Sequence, residues 1–306
     1  MANAFRRFPV LALFLALAVP AAADPPPRDF EPSKKPRPEP QAPAPAPAPE
    51  KPAPAAPAAP KRPGDRGDFK VVYSAVKDPD YKELQQIFKD TALFEETVKA
   101  LNETLALPAD VTVTLRECGE INAFYEPDSR RISMCYELVG AFTEMFLADA
   151  ETEEEAEAAG VSVAGATLFI FFHEAGHALI DLYDLPITGK EEDAVDQLAT
   201  LILLEAGEDG ENAALDGASS FLTEEEEEAE GDEEAGLEEL AFWDEHSLDE
   251  QRFYNIICWI YGKNPEGFAY LVEDETLPEG RAGSCPGEYE RMSKAWDTLL
   301  EPYVKE

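Results

Sequence analysis

Leu168-Phe169-Ile170-Phe171-Phe172-His173-Glu174-Ala175-Gly176-His177 runs an apolar stretch directly into two imidazoles and a carboxylate. The surrounding segment, Val161–Leu185, is apolar on all sides near residues 168–172, which predicts a long helix buried in a protein core. On a helix, residues four apart share a face, so His173 and His177 can reach one metal ion. Glu174 stands beside them, placed to take a proton from water. The chain has only three histidines. His-Glu-x-x-His then arises by chance in roughly 0.3% of such sequences, so coincidence is a poor explanation.

A zinc site needs a third protein ligand and an open position. The candidates lie beyond the turn Leu185-Pro-Ile-Thr-Gly-Lys190, where Glu191, Glu192 and Asp193 open a predicted helix, Glu191–Glu205. The third histidine, His246, precedes another predicted helix, Asp249–Tyr261. It competes with Tyr254 and Arg252 to donate to the oxyanion of a tetrahedral intermediate.

Farther out, Tyr81–Leu105 has apolar residues at helical spacing and reads as one or two helices ending near Pro108. Val111–Leu115, Ile121–Tyr125 and Arg131–Cys135 read as strands of a short meander, with Glu126–Arg130 as a turn. Tyr136–Ala148 reads as helix and Glu151–Glu157 as an acidic connector. Residues 206–236 read as an acidic loop, and Tyr289–Tyr303 as the last helix. The expected fold class is α+β, mostly helical, with a small sheet or hairpin before the His-Glu-x-x-His helix. Ile121–Tyr125 is a candidate edge for an extended peptide.

The N-terminus reads as an address followed by a spacer. Arg6-Arg7, the apolar run Phe8–Val19 and Ala21-Ala22-Ala23 form an expected signal peptide over residues 1–23, its apolar run too short for a ~20-residue membrane span. Residues 24–66 alternate Pro with Ala, Lys and Glu and read as a disordered linker, leaving 67–306 as the folding domain. The expected location is the bacterial periplasm or cell envelope, or the exterior, with no stable membrane insertion after signal cleavage. Four cysteines in an exported chain imply disulfides, and the preferred pairing is Cys118–Cys135 with Cys258–Cys285. No Cys-x-x-Cys spacing points to a zinc–thiolate site.

The whole chain carries a formal charge of −39, and residues 67–306 hold 15 basic against 58 acidic side chains. Such a surface repels phosphate backbones and anionic headgroups, which argues against nucleic-acid and peripheral membrane partners and allows cationic ones. The run Glu224–Glu228 lacks the spaced oxygens and tight turn of a Ca²⁺ loop and reads as a solvated face.

His-Glu-x-x-His followed by Glu192-Asp-Ala-Val-Asp196 resembles the gluzincin branch of zinc metallopeptidases. The resemblance implies Glu192 as third ligand and Asp196 as the carboxylate that orients a liganding histidine from behind. A wider pattern is similar to a family of exported bacterial proteins described as metallopeptidases of unknown function, over about residues 75–305. It comprises Glu117-Cys-Gly119, Asn122–Tyr125, Cys135-Tyr-Glu137, His173–His177, Glu192–Gln197, Trp243–His246 and Gln251–Cys258. The resulting expectation is a hydrolase with one Zn²⁺ per chain that cleaves a peptide or protein substrate, with Glu174 as general base. A zinc-holding envelope protein without catalysis is the rival reading.

Overall fold

The apolar run lies inside a 31-residue helix, Glu153–Tyr183, in the computed structural model, which describes residues 64–222 and 245–305. This helix, α4 in chain order, follows α1 (Pro79–Thr91), α2 (Leu93–Thr104) and α3 (Tyr136–Leu147). After it come α5 (Glu191–Leu204), α6 (Glu208–Ser219), α7 (Asp249–Lys263), α8 (Tyr270–Glu273), α9 (Glu279–Ala282) and α10 (Cys285–Leu300). The strands are β1 (Phe69–Tyr73), β2 (Val111–Arg116), β3 (Ala123–Glu126) and β4 (Arg131–Cys135). The domain is thus α+β and mostly helical, as expected.

By length and composition α4 could cross a bilayer. Its apolar surface is instead consumed internally: Phe169, Phe171 and Phe172 are fully buried, and Phe171 meets Phe94 of α2 edge to face. Its N-terminus is a capping box, with the Thr152 hydroxyl accepting from Glu155 N–H and the Glu155 carboxylate accepting from Thr152 N–H. The expected connector Glu151–Glu157 is therefore largely helix, and Thr152-x-x-Glu155 was the signal for it. The break between α1 and α2 falls at Ala92, whose backbone is left-handed at φ 52°.

The meander is corrected. The sheet order is β1-β2-β4-β3, so β2 pairs with β4 in parallel, and only β3 and β4 form the expected hairpin. Cys118–Cys135 accounts for the arrangement locally: Arg116 is in register with Cys135, and the bridge closes just past that pair. The second disulfide joins Cys258 of α7 to Cys285 of α10. β1 was not read from sequence because it directly follows the linker; its alternation of buried Phe69 and exposed Lys70 is short.

The acidic loop expected over 206–236 is corrected in its first part, which contains α6; residues 223–244, including Glu224–Glu228, lie outside the described residues. Its small residues pack a helix–helix contact. Ala213, Ala214, Gly217 and Ala218 are buried, and a Cβ on Gly217 would stand 2.3 Å from Phe169 of α4.

Gly217→Ala decides between the two descriptions. In a solvated loop or exposed helix, alanine would be neutral or favourable by up to ~1 kcal/mol. Against Phe169 it should destabilise by about 1–3 kcal/mol in a denaturant titration, and a stabilising result would remove the packing account.

Candidate metal centre

Two helices build the site. His173, Glu174 and His177 project from α4, while Glu192 and Asp196 project one turn apart from α5. The helices approach closely because residue 176 has no side chain: a Cβ there would lie 2.8 Å from Val195 Cγ1. Gly176 is thus the reason an unspecified position within His-Glu-x-x-His is filled by glycine here.

The three acids that the sequence left as rivals at the start of α5 take separate places. Glu191 Oε1 lies 2.8 Å from His177 Nδ1, and Asp193 accepts from the Ser247 hydroxyl at 2.7 Å. Glu192 points between the imidazoles. Its Oε2 is 3.1 Å from His173 Nε2, 3.4 Å from His177 Nε2 and 3.2 Å from His246 Nε2. None of these approaches has hydrogen-bond alignment, and among the described residues that buried oxygen has no aligned donor.

The tautomers explain why. His173 Nδ1 is 2.7 Å from Asp196 Oδ1 and His177 Nδ1 faces Glu191, so each ring keeps its N–H on Nδ1 and turns an Nε2 lone pair toward Glu192. Acceptors therefore face acceptors. Two imidazole nitrogens and a carboxylate oxygen, with ligand atoms within 4.8 Å of one another, are a donor set that fits a divalent metal, commonly zinc. His246 is not in that set of three.

Protonation of an imidazole turns its Nε2 from an acceptor into a donor toward Glu192, and the titration behaviour follows from that. Burial opposes charge on His177, but Glu192 and Glu191 outweigh it and raise its pKa to about 9. Burial alone would push Glu192 up, yet the surrounding imidazoles hold it well below the carboxylate range. Glu174, 6% exposed, is shifted upward chiefly by burial, and the neighbouring His173 and His177 offset only part of that.

The sequence model of a family described as "Putative metallopeptidase" (DUF4344) matches residues 73–300. The chain belongs to this family. No curated protein and no solved structure matches the chain. Within this metallopeptidase family member, Asp196 lies behind His173, and the segment carrying His246 is fastened to α5 by Lys190 Nζ donating to His246 O at 2.8 Å.

Arg252 is buried, with its guanidinium on Asp196, and Tyr254 meets Phe253 edge to face. Sequence reading missed Glu191 behind His177 and Ser247 against Asp193. Glu191 was visible only as one of three adjacent acids, and Ser247 carried no signal.

Single substitutions of the three acids should separate their roles in a zinc competition titration. Glu192→Gln removes the central charged ligand and should abolish tight binding. Glu191→Gln should weaken it about 10-fold, at the mild end of the 10–100-fold cost of losing a histidine-orienting partner, and Asp193→Asn should leave it within about twofold. A greater loss for Asp193→Asn than for Glu192→Gln would overturn this assignment.

Proposed function

We propose that the protein is an exported zinc-dependent peptidase in which His173, His177 and Glu192 hold the ion and Glu174 is the general base. The observation that carries this reading is the buried Glu192 Oε2, without an aligned donor among the described residues, facing imidazole nitrogens whose partner nitrogens are already committed. Bound there, zinc would supply a Lewis acid for a scissile carbonyl and lower the pKa of a water from 15.7 toward ~7.

The remaining chemistry belongs to the chain. Glu174 accepts a proton from the attacking water and passes it to the leaving amine; burial raises its proton affinity, which suits both halves of that task. His246, held beside Glu192 by the fastening of its backbone to Lys190, is the donor to the developing oxyanion. β3 is an edge strand beside α4, and its Tyr125 donates its hydroxyl to Asp181 of α4 at 2.8 Å. An extended peptide added along that edge would pass the base. The acidic surface favours cationic peptides, and two disulfides support export to an oxidising compartment.

Native mass spectrometry and peptide-library cleavage test the reading together. One zinc per chain and turnover are expected in the wild type. Glu174→Gln should retain zinc and lose about 10²–10⁴-fold in kcat. Zinc retained by a wild-type protein that cleaves no peptide would favour the non-hydrolytic binding protein instead.

His246→Ala provides a separate check. It should lower kcat by about 10²-fold or more with zinc still bound. An unchanged kcat would take His246 out of the reaction.

A further inference from the structure

We propose that Arg252 is a positioning residue of the metal centre, acting through Asp196 to fix the imidazole plane of His173. This rests on the zinc-site reading above and adds to it a residue 56 positions beyond Asp196 in sequence.

Asp196 is 2% exposed, so its carboxylate cannot rely on water for orientation or charge compensation. The Arg252 guanidinium grips both of its oxygens, Nε to Oδ2 at 2.8 Å and Nη2 to Oδ1 at 2.9 Å. A planar fork on a planar carboxylate removes rotation about the Asp196 Cβ–Cγ bond. Oδ1 therefore presents a fixed lone pair to His173 Nδ1–H, 2.7 Å away, and a fixed Nδ1–H direction sets where Nε2 points.

Arg252 is itself held on one further side: its guanidinium carbon sits 3.9 Å from the centroid of the Phe221 ring, a cation–π contact. A salt bridge that served only to join α5 to α7 would not need to share its acceptor oxygen with a liganding histidine. The shared oxygen is the observation that assigns Arg252 to the site.

Lysine could supply the charge but not the fork, and methionine supplies only the volume. These two variants separate the contributions. Zinc affinity would be measured on the full domain by competition with a chromophoric chelator, with the Co²⁺ absorption spectrum as a report on ligand geometry and metal-free melting as a report on folding.

Arg252→Met should weaken zinc binding by about 10–100-fold and shift the Co²⁺ bands, and Arg252→Lys should fall between it and the wild type. In an Asp196→Ala background, Arg252→Met should change the zinc Kd by no more than about twofold, because the route through Asp196 is already cut. A wild-type protein that binds no zinc would fail the zinc-site reading itself. Zinc-binding wild type with unchanged affinity and spectrum in folded Arg252→Met would overturn the positioning role, as would an equal loss with and without Asp196. If Arg252→Met does not fold, Arg252→Lys decides alone: wild-type affinity and spectrum would overturn the proposal.

Discussion

With both rings neutral, Nε2 of His173, Nε2 of His177 and Oε2 of Glu192 turn lone pairs toward one another at the crossing of two helices, and among the described residues no aligned donor reaches the carboxylate oxygen among them. Left alone this is an electrostatic fault in a largely buried place, where opposed acceptors cost more than they would in water. Much of the surrounding architecture can be understood as holding that fault in place. Gly176 lets α5 come close enough, and the committed Nδ1 atoms prevent the rings from flipping to donate inward. The apolar bulk of α4, locked against α2 and α6, keeps the helix from yielding. Protons are drawn into such a space when no cation is present, which is the meaning of the raised pKa of His177.

The fold around the site falls into two parts by the range of the forces that specify it. α4 and α5 were legible because periodicity and turns are local properties of sequence, although the capping box that starts α4 at Glu153 rather than Val161 was passed over. The strand order was not, since the choice between a meander and the insertion of β4 between β2 and β3 depends on pairing across the sheet. α6 was misread for a different reason. Its Gly residues are weak helix formers that mask the contribution of the Ala residues, and the small side chains become informative only once Phe169 of α4 is placed against Gly217.

The candidate site divides in the same way. His173, Glu174 and His177 were legible from spacing alone, and Glu192 with Asp196 from a resemblance that ordered three neighbouring acids. The choice among those acids is a matter of helical phase: a rotation of about 100° per residue sends Glu191, Glu192 and Asp193 to three different partners. Arg252 lies 56 residues from Asp196, and no sequence rule links a buried guanidinium to a particular carboxylate at that range. Its assignment needed the fold.

The proposed ligand set spans only residues 173 to 192, one helical hairpin, whereas His246 and Arg252 arrive from beyond a long intervening stretch. Closing a short hairpin costs little chain entropy, and closing the longer loop costs more. Capture of the ion and completion of the reaction machinery are therefore separable in the history of the molecule. A growing or refolding chain possesses every ligand once α5 exists, well before it possesses the residues proposed to manage the substrate.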